Sequence, residues 1–253
     1  PYTTLYKTLE TGGYEQGQAL WLKKVELHKD NPIVLGNAAN YFFIDDKELA
    51  EELLKKAQAL EPNNAKWSEK LSHLYSLSTI RRQPIEAAKE VAASSLSELE
   101  NALSLTNSDE KRFYLLISAP RIAFKAGDME KARRFSLELL TEAQRYKEGY
   151  GDGDAIHQAN TVLGLVALRL KDLEKAKAHL LKSAETSGSP VLGSFGPNML
   201  LAKELLELGE KEIVLKYFKL CAQFWQSHDQ ELKTWENDVK ENRMPDFGPN
   251  LHD

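Results

Sequence analysis

The chain has 253 residues, 42% hydrophobic and 28% charged, with a formal net charge of −5. That balance suits a water-soluble chain long enough for a full core. The negative charge argues against non-specific nucleic-acid binding, which needs a basic surface to displace counterions, and no apolar run approaches the roughly 18–20 residues of a membrane span.

Cys221 is the single cysteine, which excludes an internal disulfide and a multi-cysteine zinc site. Its neighbours Tyr217, Phe218, Leu220 and Phe224 make it a small core residue rather than a nucleophile. The first ten residues lack a basic-then-apolar signal segment. The chain begins at Pro1 without a Met, so an upstream piece is expected to have been removed or not included. The compartment stays open between cytoplasm and an exported mature form.

In chain order, residues 1–13 are weakly patterned and break at Thr11-Gly12-Gly13. Ala19 to Leu27 reads as a helix stopped by Asp30-Asn31-Pro32. Residues 31–64 form a helix pair: Val34, Ala38 and Tyr41, a turn at Asp45-Asp46, then Leu49 to Leu60, ended by Pro62. Residues 65–105 carry Trp67, Leu71 and Leu74, then a long helix from near Pro84 to about Leu105. Thr106-Asn107-Ser108-Asp109 is a stop followed by a cap. Residues 113–146 pair Leu116, Ala119 and Ala123 with Ala132, Phe135 and Leu139 across Gly127-Asp128. Pro120 there should kink its helix or displace its start.

Residues 147–155 and 187–196 read as glycine-rich loops. Between them, 157–190 holds two helices around a turn at Lys171-Asp172, with Gly164 expected against Ala176 where the helices come closest. Residues 197–226 repeat the unit around Gly209-Glu210. A closing helix spans 229–241 with Leu232, Trp235 and Val239, and the tail from Met244 reads as irregular. Strand signals are nearly absent.

The turns align at Asp45, Gly127, Lys171 and Gly209. Five residues on stand Ala50, Ala132, Ala176 and Val214; twelve on stand Ala57, Leu139, Ser183 and Cys221. This register, with Leu163-Gly164, Ala167, Asp172, Ala176 and Ala184, and with Asp46 to Ala50 and Ala57 to Pro62, resembles the tetratricopeptide repeat family. The likeness is degenerate and covers roughly residues 15–226. It implies an all-α, right-handed superhelical solenoid of about five helix pairs, closed by a capping helix and tail over 229–253. The chain is read as one such domain, 1–253.

The resemblance also implies a concave groove lined by the first helix of each pair, used to bind a peptide or protein. Carried over by position, that lining is Leu35, Ala39, Phe42 and Phe43, then Lys66, Glu69 and His73. It continues with Tyr114, Ile117, Arg121 and Lys125, then Gln158, Thr161, Leu165 and Arg169, and last Met199, Lys203 and Glu207. The family's chaperone-tail clamp needs a Lys and an Asn where Leu35 and Ala39 stand, so that clamp is not expected. Arg121, Lys125, Arg169 and Lys203 suit an anionic group on the partner; the plainer alternative pairs each with a neighbouring Glu.

Asn160 and Asn198 stand in register where the family has bulky apolar residues, and a buried amide must meet its hydrogen bonds. They are expected to tie the two glycine-rich loops to the helices, the alternative being contact with a ligand, for which His157 and Phe195 are further candidates. Asp152, Asp154 and His157 could be read as metal ligands, but Asp154 is more simply a helix cap. No nucleophile elbow, phosphate loop or dinucleotide fingerprint is present, and no cofactor is called for. The reading is a non-catalytic scaffold. The alternative is an enzyme or small-molecule sensor, with an anionic-ligand pocket between the groove and the loops 147–155 and 187–196.

Overall fold

The structure is a computed structural model, and it describes residues 12–78, 85–146, 152–226 and 229–251. Among these residues every regular element is helical, and the helices pack as consecutive pairs. They fall into two compact units, 1–108 and 109–253.

The first unit contains α1 (Gly13–Leu27), α2 (Pro32–Phe42), α3 (Lys47–Leu60), α4 (Ala65–Ser78) and α5 (Ile85–Leu105). Pro32 sits in the first turn of α2, and the Asn31 side chain accepts from the Ile33 and Val34 amides, so two residues set the helix start. The expected start of the long helix at Pro84, and the Arg81–Gln83 link before it, lie outside the described residues. So does most of the N-terminal segment 1–13.

Helix α2 is apolar nearly all round, and a helix of that kind is buried rather than half-exposed. It packs against α1 and α3, and Trp67 of α4 lies over Gly36. This corrects the groove assignment for Leu35, Ala39 and Phe42, which are wholly enclosed. A Cβ on Gly36 would fall 2.2 Å from the Trp67 ring, so glycine is what lets that ring pack onto α2.

The second unit contains α6 (Asp109–Lys125), α7 (Met129–Ala143), α8 (Asp152–Arg169), α9 (Leu173–Ser183), α10 (Pro190–Phe195), α11 (Leu200–Glu207), α12 (Lys211–Cys221) and α13 (Asp229–Lys240). Pro120 lies inside α6 and is buried there. The expected loop 187–196 is partly helical: Pro190 opens α10, and Ser189 caps it by accepting from the Leu192 amide. Residues 152–155 belong to α8, and the rest of the expected loop, 147–151, lies outside the described residues.

The turns of this unit share one hydrogen-bond pattern. Gly127, Lys171 and Gly209 all have positive φ. The next amides, of Asp128, Asp172 and Glu210, reach back to the carbonyls of Ala123, Ala167 and Leu205 at 3.0, 2.9 and 3.0 Å. That is the Schellman ending, which satisfies carbonyls left open at a helix C-terminus. Asp128 and Asp172 then cap the following helices, as Asp46 does in the first unit. The aligned positions Ala50, Ala132, Ala176 and Val214 are all fully enclosed, as are Ala57, Leu139, Ser183 and Cys221. Burial pushes the Cys221 thiol far above its ordinary value, in keeping with an inert core residue.

Gly164 departs from expectation. The atoms nearest to a Cβ placed there are the side chain of Leu201 on α11, the closest at 2.2 Å, not Ala176. The glycine receives a side chain from the first helix of the next pair, as Gly36 does from Trp67. Helix α13 covers α12 with Leu232, Trp235 and Val239, leaving Lys233, Lys240 and Glu241 outside. The tail is more ordered than its prolines suggest. It forms a short 3-10 turn, Gly248–Leu251, and Phe247 packs against Phe218 and Trp235.

Candidate binding surface

The predicted site residues separate into a buried set on and beside α8 and an outward set on α6. Helix α8 is packed by α6, α7, α9, α10 and α11. His157, Asn160, Thr161 and Asn198 are buried, along with the expected groove residues Leu165 and Met199. A helix contacted on so many sides keeps no open face, which corrects the groove placement of Thr161, Leu165 and Met199.

The buried polar groups satisfy one another. The Asn198 amide donates to His157 Nε2 at 2.9 Å, so the ring proton sits on Nδ1, which donates to the Ser183 carbonyl at 3.0 Å. Asn198 Oδ1 accepts from the Leu200 amide at the start of α11. Asn160 donates to the Ile156 carbonyl, and its Oδ1 accepts from His179 Nδ1 at 3.0 Å. Burial holds the His179 imidazole below its ordinary value, with Lys182 and Lys175 adding to the effect.

Asp152 and Asp154 are also engaged locally. Asp152 Oδ1 accepts from the Gly153 amide, and Asp154 Oδ1 accepts from the Ser189 hydroxyl at 2.8 Å. Burial raises the Asp154 carboxyl above its ordinary value. Among the described residues, no group of three or more His, Cys, Asp or Glu side chains is placed to hold a metal ion.

Helix α6 presents Tyr114, Ile117, Arg121 and Lys125 along one line, three or four residues apart. Tyr114 is 53% exposed, Ile117 and Arg121 are half-buried, and Lys125 is exposed. The Arg169 guanidinium lies 5.3 Å from the centroid of the Phe124 ring, which brings it to the end of this row. It also forms a two-pronged pair with Glu204 at 2.5 and 2.8 Å. Lys203 pairs with Glu207 at 2.6 Å. Arg169 and Lys203 therefore each meet a neighbouring Glu. Gln158 is half-buried on α8, and Phe195 is 76% exposed at the end of α10.

A cavity of about 580 Å³ in the first unit, not announced by any sequence motif, is lined by Ile44, Lys47, Glu48, Glu51, Lys55, Tyr75, Glu90 and Val91 among others. Glu51 accepts from the Tyr75 hydroxyl at 2.9 Å and pairs with Lys55 at 2.6 Å. Burial, then the Glu51 carboxylate, pushes the Tyr75 phenol up to about 12. The only hint in the sequence was the four-residue spacing of Glu51 and Lys55, which also suits an ordinary solvated helix face. The cavity is lined mainly by α3 and α5, the second helices of their pairs, with Tyr75 of α4 and the turn before α3 completing it.

No helix among the described residues is long and apolar enough to cross a membrane. The sequence matches no protein-family model, and it matches no characterised protein.

Proposed function

We propose that this chain is a non-catalytic helical-repeat scaffold that binds a peptide or protein segment along α6, the first helix of its second unit. The observation that carries this reading is the row on α6. Tyr114, Ile117, Arg121 and Lys125 combine aromatic, aliphatic and cationic chemistry on one face, where Tyr114 and Lys125 are exposed and Ile117 and Arg121 half-buried. Tyrosine and arginine are the side chains most enriched where protein surfaces bind one another. The right-handed solenoid of the tetratricopeptide class is part of this proposal. Its helix-pair repeat is supported by five consecutive pairs among the described residues, the Schellman turns of the second unit and the enclosed residues at aligned positions; the hand of the solenoid is carried by the resemblance alone.

An anionic group on the partner has narrower support, since Glu204 and Glu207 already engage Arg169 and Lys203. The small-molecule alternative draws no support from His157, which is enclosed and held by backbone groups.

A random-peptide display library selected against the whole chain tests the proposal. Selection is expected to enrich a consensus that binds wild type and loses at least about thirtyfold in affinity to the double variant Tyr114→Ala, Arg121→Ala, the loss that truncating two contact side chains worth about 1 kcal/mol each produces. The same variant should melt with wild type. Failure to enrich any consensus, or unchanged binding by the double variant, rejects the surface.

A further inference from the structure

We infer that His157 is a proton-operated latch on the segment 187–199 that joins α9 to α11. The ring is only 1% exposed, and its two nitrogens join separate stretches of chain. Nδ1 donates to the Ser183 carbonyl at the end of α9, and Nε2 accepts the Asn198 amide just before α11. That second bond exists only in the neutral ring. An imidazolium carries a proton on both nitrogens and accepts nothing. Protonation would point Nε2–H at the Asn198 N–H, donor against donor, and the pair must separate.

Asn198 is a junction, so the separation propagates. Its side chain accepts from the Leu200 amide, and its carbonyl receives the Tyr217 hydroxyl at 3.4 Å. The far side of the segment is pinned independently. Asn250 donates to the carbonyls of Phe195 and Pro197 at 2.9 and 3.1 Å, and its own carbonyl accepts the Met199 amide at 2.8 Å. Release at His157 therefore loosens one edge of a segment whose other edge stays tied.

The titratable groups around the latch are Asp154 one turn earlier on α8, His179 and Lys182 on α9, Glu185 beyond α9, and Tyr217 on α12. Asp154 is bonded by Ser189, His179 by Asn160, and Tyr217 by the Asn198 carbonyl; Lys182 and Glu185 are exposed. Of the two histidines, His179 keeps a donor role toward Asn160, and that role survives protonation. Only His157 is used as an acceptor by a backbone amide.

Hydrogen exchange of the full chain, read by mass spectrometry between about pH 7.5 and 5 across the ordinary histidine range and corrected for the intrinsic pH dependence, tests the latch. Protection of 190–199 is expected to fall by up to roughly tenfold per pH unit, the limit for one proton, while α12 holds its protection. His157→Gln can still accept and donate but takes up no proton, and should remove the pH response. Asp154→Asn should keep it, separating the imidazole from the nearby carboxyl. Should His157→Gln not fold, the wild-type imidazole resonances decide, because the ring must pass from the Nδ1–H form to the imidazolium over the interval in which the segment opens. An equal response in 190–199 and α12 overturns the latch. So does a response that survives in His157→Gln, one abolished by Asp154→Asn, or a ring that stays neutral while the segment opens.

Discussion

Helices α6 and α8 are both first helices of a pair, they pack on one another, and each carries four predicted contact residues, yet they do opposite things. Helix α6 leaves Tyr114 and Lys125 exposed and Ile117 and Arg121 half-buried, while α8 sinks Thr161 and Leu165 into the core, together with His157 and Asn160. The difference is coverage. Helix α8 is enclosed by helices before and after it, so its polar groups must find partners inside the protein. Equivalent positions in a repeat are equivalent in backbone register, and they become different surfaces when their neighbours differ.

The sharpest way to break this contrast is to remove the polar pairing that burial imposed on α8. His157→Ala would leave the Asn198 amide and the Ser183 carbonyl without their partner and open a cavity. A loss of about 3–5 kcal/mol in urea unfolding is expected. A loss below about 1 kcal/mol would mean that the two backbone groups are readily rehydrated.

Overpacking the close approach is the next test. Gly164→Leu would drive its side chain into Leu201 and should cost roughly 1–3 kcal/mol, read as a lower melting temperature. Leu201→Ala added to Gly164→Leu should recover part of the loss, because the two side chains compete for one space. An additive pair of losses would place the strain elsewhere.

The C-terminal turns sharpen the comparison further. Helix α6 ends on Gly127, but α8 ends on Lys171, with φ of 61°. A residue with a Cβ pays about 1 kcal/mol in the left-handed region, so Lys171→Gly should stabilise by up to about that amount, and Gly127→Ala should destabilise by a similar one. If Lys171→Gly has no effect on the unfolding midpoint, the Lys171 side chain must be contributing something that glycine loses.

The last prediction concerns pH. Because burial holds His179 below its ordinary value of 6.5, the unfolded chain binds a proton that the folded chain refuses. Its contribution is complete above about pH 6.5, where both states are neutral, and is lost as pH falls from there through the folded value. His179→Gln should lessen, without abolishing, the slope of stability against pH in that window, because His73 is also lowered and His157 is held neutral in the fold. An unchanged slope would assign the acid sensitivity to other groups, Asp154 excluded: its raised carboxyl disfavours ionisation in the folded state and acts in the opposite sense.

Much of the architecture was legible before any coordinates. Apolar spacing, Gly127 and Gly209 at positions that need positive φ, and the caps Asp46, Asp128 and Asp172 are local signals, because a turn is set by residues three to five apart. The enclosed positions from Ala50 to Cys221 followed from aligning those turns. Only the tertiary structure decided which faces stayed open. Periodicity identifies the stripe that a helix must bury, but α2 and much of α8 are apolar nearly all round, and such a helix has no stripe to orient it. The partner of Gly164, the acceptor role of His157 and the cavity beside Tyr75 each join residues far apart in the chain. They depend on which helices become neighbours in space, and residue spacing along one helix carries no information about that.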